Sequence, residues 1–327
     1  MAYQTGTATD HVDLFDKLIS FLTADPDLLY DGEAWEVEWS KSSDLSEGVV
    51  LKGPGLALTD EILVGLRLSA NIPDDAAEIA VVGMTGVIPS STEYNDHVNV
   101  TPNAPRMLLR TQPMTYWFAA NGRRFIVMVR VSTVYESLYA GFMLPYSTPL
   151  QYPYPMFIGG TAHSEATRLA VPNWRSTVNA HAHFSRSFRN PNAASGHPSN
   201  AWLLDPSGNW LDCGITTDSN VQIAPGQFGT GFGISSDSGT SNYGYNTILD
   251  RIITAYGNQQ TLVPITLLQQ SPSDQTYGVL DGVYRVAGRG NAPENTIVVD
   301  GVTHVVGINA FRTNLADFWA MQLGVVP

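Results

Sequence analysis

Tyr116-Trp117-Phe118-Ala119-Ala120-Asn121-Gly122-Arg123-Arg124-Phe125-Ile126-Val127-Met128-Val129-Arg130-Val131 is the stretch that decides the fold. Two runs of aromatic and β-branched residues flank Asn-Gly, and such residues fit a pleated, half-buried surface. Asn-Gly between them is the signature of a type I′ hairpin, whose central residues both need positive φ. That turn sets Phe118 opposite Phe125 and Trp117 opposite Ile126, pairing large side chains across the strands. The signature returns near the end, where Asp300-Gly301 separates Ile297-Val298-Val299 from Val302-Thr303-His304-Val305-Val306. A looser hairpin runs from Leu203-Leu204 through Asp205-Pro206-Ser207-Gly208 to Trp210-Leu211.

Upstream the period is also two. Trp35, Val37 and Trp39 alternate with Glu36 and Glu38, the pattern of a half-buried strand. Ile62, Val64, Leu66 and Leu68 alternate in the same way, with a helix capped at Thr59 or Asp60 as the competing reading. Ala80 to Met84 is a short apolar run between turn residues. Only residues 9–24 read clearly as helix. Thr9 or Asp10 can cap it, Phe15, Leu18, Ile19 and Leu22 share one face, and Asp25-Pro26 ends it. The helix reads either as a surface helix packed on its own chain or as part of an arm. Because the first ten residues carry no strong local signal, an arm over 1–24 is expected to lie on an adjacent subunit or another partner protein.

Downstream, Pro145, Pro149, Pro153 and Pro155 stand among Tyr146, Tyr152, Tyr154 and Phe157. Proline removes ladder donors, so 144–160 reads as an extended crossover rather than a central strand. Residues 186–246 are rich in Ser, Asn, Gly and Asp, as long loops around a few short strands would be. The fold class expected is mainly β (α+β), an N-terminal helix followed by packed antiparallel sheets, β-sandwich-like, with long loops. Four segments follow from it: an arm and helix over 1–26, a β domain over 27–145, the Pro/Tyr-rich crossover over 146–160, and a second β region over 161–327.

Of the 327 residues only 14% are charged, against roughly 25% in ordinary soluble domains, while 10% are aromatic. That balance suits a chain whose surface is partly covered by partners. The net charge of −13 argues against a genome-binding or anionic-membrane role, since phosphate binding leaves a basic footprint. No run approaches the 18 or so apolar residues of a spanning helix, and no signal peptide is visible. Cys213 is the one cysteine, which leaves no disulfide pair or zinc ribbon and fits folding in a reducing cytoplasm.

Chemistry-bearing residues are sparse. His181 and His183 share a face if they lie on a strand, and His163, His197, Asp205 and Cys213 are the further ligands on offer, none at a recognised metal-site spacing. No Gly-x-Ser-x-Gly elbow is present, and the acids beside Cys213 raise rather than lower a thiol pKa. The glycines at 226, 229, 231 and 233 miss the Walker spacing. Paired carboxylates for glycoside hydrolysis stay open among 30 acids. The expectation is a non-enzyme without cofactor or metal.

Several segments carry a resemblance. They are Met1-Ala2-Tyr3-Gln4-Thr5-Gly6-Thr7-Ala8, the run Arg124 to Ser137, Gly141-Phe142-Met143-Leu144-Pro145-Tyr146, Gln151-Tyr152-Pro153-Tyr154-Pro155, Glu294-Asn295-Thr296-Ile297 and Asn309-Ala310-Phe311-Arg312-Thr313. Together the chain resembles uncharacterised structural proteins encoded in the virion modules of tailed bacteriophages and prophages. The resemblance implies a virion component of tail, baseplate or neck, assembled in the host cytoplasm, with copies of itself and other virion proteins as partners. It brings no active site. A receptor- or glycan-binding module at the tail tip, using Trp202 and Trp210, and a capsid decoration protein are the alternatives. Aromatic residues dominate interface energy, so the candidate subunit contacts are Phe15, Leu18 and Leu22 of the helix with Tyr146, Tyr152, Tyr154 and Phe157 of the crossover, with coverage of their own core as the alternative for the tyrosines. A ring or stacked assembly of many copies is expected to use them.

Overall fold

The computed structural model describes residues 1–55, 61–72, 76–162, 200–213, 221–224, 260–269, 275–286, 288, 290–308 and 318–325. These residues form three antiparallel sheets stacked as layers, mainly β as the sequence implies. The central sheet runs in the order β1 (Ala2–Ala8), β7 (Met114–Ala120), β8 (Arg124–Val131), β9 (Val134–Phe142), β11 (Met156–Gly159), β12 (Ala201–Leu204) and β13 (Trp210–Asp212). A front sheet consists of β2 (Glu36–Ser40), β3 (Val49–Gly53), β4 (Ile62–Ile72), β5 (Ala76–Met84) and β6 (Arg106–Arg110) in sequence order. The back sheet runs β14 (Gln222–Ala224), β15 (Val263–Gln269), β16 (Gln275–Arg285), β19 (Phe318–Val325), β18 (Val302–Ile308) and β17 (Thr296–Val299), with β10 (Leu144–Pro145) added on β16.

Strand alternation explains the layering. On the central strands Phe118, Phe125, Val127, Leu138 and Ile158 turn forward into one core with Leu51, Val64, Ile79 and Val81 of the front sheet. The alternate residues Trp117, Ile126, Met128, Tyr139 and Phe157 turn back onto Ile265, Val283, Val305 and Trp319. Hence β8 is apolar without a break from Phe125 to Val129. A strand covered on both faces has no solvent side to carry polar residues.

The helix forms as read. In α1 (His11–Ala24) the cap is Asp10, whose carboxylate accepts from the Val12 and Asp13 amides. Its Phe15, Leu18 and Leu22 are buried in the front core, and Phe21 meets Phe118 at 5.8 Å between ring centroids. Asp25-Pro26 ends α1 but also starts α2 (Pro26–Asp31), with Asp25 as its cap, Pro26 at its first position and left-handed Gly32 closing it. Residues 62–68 are strand, in β4, and not helix.

The N-terminal arm needs correction. Residues 2–8 are the edge strand of the chain's own central sheet, paired with β7 from Ala2↔Ala120 to Ala8↔Met114. Small residues make this fit: Ala2 and Ala8 are buried, and a Cβ on Gly6 would lie 2.8 Å from the Tyr116 hydroxyl. The crossover needs correction as well. Met156–Gly159, just after the last proline, is an interior strand between β9 and β12. The central sheet thus takes strands from both sides of 146–160, and that segment is not a boundary between sheets.

The two Xaa-Gly turns come out differently. Asp300 and Gly301 have φ of 52° and 77°, with Val299 opposite Val302, as type I′ requires. The Asn121-Gly122 hairpin pairs Ala120 with Phe125, Phe118 with Val127 and Trp117 with Met128, a register two residues from the expected one. Asn121 lies before the turn, because its side-chain oxygen accepts from the Arg123 and Arg124 amides at 2.9 and 3.0 Å. Neither Asn121 nor Gly122 has positive φ. What restricts Gly122 is crowding: a Cβ there would sit 3.0 Å from Pro54 Cγ and 3.1 Å from the Gly55 oxygen. Gly122→Val should therefore destabilise by roughly 1–3 kcal/mol through overpacking, and Pro54→Ala in that background should return some of the loss. Gly301→Ala, with nothing within 4 Å of the new Cβ, should cost about 1 kcal/mol from φ alone, and no neighbouring substitution should relieve it. Thermal unfolding of these variants checks both expectations.

The third hairpin holds too. Leu204 pairs with Trp210, and Asp205 accepts from the Ser207 and Asn209 amides across a turn with Gly208 at φ 83°.

Candidate subunit interface

One end of the molecule carries exposed apolar side chains on α2 and on the crossover. Strands β7, β9 and β10 finish there and β8 and β11 begin there, so the 121–123 turn and the 146–155 crossover leave the layers on the same side. The end of α2 joins them, since the Glu33 Cα is 3.5 Å from where a Gly122 Cβ would be.

Beneath the surface this end is fixed by a buried polar knot. Arg124 is fully buried and its Nε lies 3.3 Å from Asp281 Oδ2 on β16, with the Arg123 guanidinium 3.5 Å from the same oxygen. Asn121 donates from Nδ2 to Asp281 at 3.1 Å, and its backbone oxygen accepts the Trp35 indole N–H at 2.9 Å. Tyr139 donates its hydroxyl to the Phe142 oxygen and accepts from the Asp281 amide. Burial pushes the Asp281 carboxyl up, but Arg124, Arg123 and Asn121 outweigh it and hold it below the usual carboxylate range. The knot ties back, central and front layers together. At the opposite end Glu294 takes an ion pair from Arg130 (2.5 Å) and the Tyr135 hydroxyl (2.6 Å), again joining central to back layer. Burial and Glu294 push that hydroxyl's pKa up to about 12, so it remains a donor at any ordinary pH.

Over the knot, apolar side chains face outward. Tyr30 is 91% exposed and Leu29 58% on α2, while the crossover presents Leu150 at 94%, Tyr146 at 64% and Tyr154 at 40%. Tyr154 rests edge-on against Phe142, centroids 6.3 Å apart, and the Tyr146 amide donates to the Tyr277 oxygen. The backbone is thus anchored under side chains that are exposed.

The expected contact residues divide. Tyr146 and Tyr154 lie on this surface. Phe15, Leu18, Leu22, Tyr152 and Phe157 do not, because each is enclosed by the chain's own core. Tyr152 runs inward to donate its hydroxyl to the Leu204 oxygen, and Phe157 packs edge-on against Tyr139. Sequence reasoning missed Leu29, Tyr30 and Leu150. For α2 a signal existed: Asp25-Pro26 fits a helix start as well as a stop, and one turn with Leu28 inward leaves the next two residues outside.

Trp202 is buried, and Trp210 is half-buried with its indole N–H given to the Asn99 oxygen. Trp202 therefore offers no open face to a sugar ring. His163, His181, His183, His197 and the glycines from 226 to 233 lie outside the described residues. Cys213 is buried, and burial followed by Asp212 pushes its thiol well above the ordinary range. Among the described residues no three His, Cys, Asp or Glu side chains converge on a metal-sized site, and no helix is long and apolar enough to cross a membrane. Neither a family model nor a curated protein matches the chain.

Proposed function

We propose that this chain is a structural subunit of a tailed-phage virion, joined to copies of itself and to other virion proteins through the end that carries Tyr30 and Leu150. The observation that supports it most is the pairing of a self-contained core with a patch of exposed tyrosine and leucine on a rigid base. Tyrosine binds well at interfaces because it brings a large contact area at little entropic cost. Leu150, at 94% exposure, contributes almost no buried surface to its own core. The low charge content and the resemblance of the quoted segments point the same way. Position in the particle, whether tail, baseplate, neck or capsid surface, is a matter of where the partner surface lies.

The test is a phage carrying Tyr30→Asp and Leu150→Asp together. Surface substitutions of this kind usually change stability by less than about 0.5 kcal/mol, so the soluble protein should fold and melt as before. Its copy number in purified particles should fall by an order of magnitude or more. Full incorporation of the folded double variant would refute the interface.

A further inference from the structure

The outer face of the front sheet is apolar and is covered by a loop. Val50, Leu63, Ala80, Val82 and Met84 form a small cluster there, closed over by Tyr94 from the segment between β5 and β6. Gly65 admits the loop: a Cβ on it would lie 2.7 Å from the Tyr94 oxygen. The base of the loop is a bridge, with the Thr85 amide donating to Val98 and the Val98 amide to Gly86 at 2.9 and 3.1 Å. Beyond it, residues 87–97 are held by the buried Tyr94, by Glu93 paired to Lys41, and across their width by His97. The Ile88 amide donates to His97 Nδ1 at 3.1 Å.

That bond fixes the chemistry of the imidazole. Nδ1 accepts a backbone N–H, so it carries no proton, and the proton of the neutral ring is on Nε2. Nε2 is buried and has no hydrogen-bond partner. The ring stands edge-on to Trp39 of β2 at 5.1 Å. We propose that residues 87–97 are an acid-released clasp: protonation of His97 at Nδ1 sets an N–H against the Ile88 N–H, frees the loop tip and uncovers the apolar outer face of the front sheet.

The surroundings favour the neutral ring at ordinary pH. Burial lowers the affinity of His97 for a proton, against a smaller opposing pull from Asp96. The other charges in and around the loop have partners other than the imidazole. Lys41 and Glu93 pair with each other at 2.6 Å, Glu38 on β2 faces Lys52 at 4.0 Å, and the Arg67 guanidinium lies over the Tyr94 ring at 5.2 Å. A histidine kept neutral by the fold stabilises the closed loop fully above its ordinary pKa of about 6.5. That stabilisation fades as pH falls below this value, where the open loop takes up a proton more readily.

Amide hydrogen exchange on the whole protein tests the clasp at pH 7.5 and 5.5, corrected for the intrinsic pH dependence of exchange. Protection over 87–97 should drop roughly tenfold in acid, the scale of one lost hydrogen bond, while β7 and β8 stay protected. His97→Asn offers Oδ1 in place of Nδ1 and cannot titrate, so its loop should show no acid response. His97→Phe keeps a ring beside Trp39 but has no acceptor, and its loop should exchange fast at both pH values. Any of three results overturns the proposal: no acid response in the unaltered protein, an equal response in His97→Asn, or full protection of the loop in His97→Phe.

Discussion

Phe125→Ala and Ile126→Ala, at neighbouring positions on β8, should each lower the unfolding free energy by roughly 2–5 kcal/mol, the range for emptying a large buried side chain. In a sheet with one wet face, adjacent residues differ sharply, because one of each pair points to solvent. Here both are fully buried, Phe125 toward the front layer and Ile126 toward the back. Denaturant unfolding of the two variants measures the difference directly. A near-neutral result at either position would mean that one of the outer layers does not cover the central sheet.

A loss of similar size is expected for Asp281→Ala, about 3–5 kcal/mol, because it strands Arg124 as an unpaired buried charge. Asp281 is only 13% exposed and Arg124 fully enclosed, so solvent screens the pair little. Adding Arg124→Met should recover much of the loss, since the stranded charge goes with it. The same knot sets an acid limit. With its carboxyl held below the usual range, Asp281 contributes stability that is complete above the ordinary carboxylate pKa of about 3.9 and is lost as pH falls through its lower folded value. Unfolding measured between pH 5 and 2 should show that slope, and Asp281→Asn should flatten it. An unchanged slope in Asp281→Asn would place the acid sensitivity elsewhere.

Much of this architecture is legible in local pattern. The alternation at 62–68, the capped helix over 11–24 and the Asp300-Gly301 turn follow from rules that act within a few residues, and each forms as those rules say. The failures share a cause, which is distance along the chain. Asn121 departs from type I′ geometry where Trp35 and Asp281, 86 and 160 residues away, also bind it. The first strand has no strong β-formers between Ala2 and Ala8 beyond Tyr3, Thr5 and Thr7, and it is held by its register with β7. Helical periodicity placed Phe15, Leu18 and Leu22 on one face correctly, yet a period cannot say whether the surface that covers a face belongs to the same chain or to another. For the same reason Leu29, Tyr30 and Leu150 were not distinguishable from core residues until the layers around them were known.

The central claim is that the chain is a component of the particle. Virions released from the host that carries this gene, purified through a density gradient and analysed by quantitative mass spectrometry, test it most directly. The account predicts that the chain bands with the particles at a fixed copy number relative to the major capsid protein, and that antibody labelling in the electron microscope marks one repeated position. Particles that are complete and infectious without the chain, with the protein left free in the lysate, would contradict it.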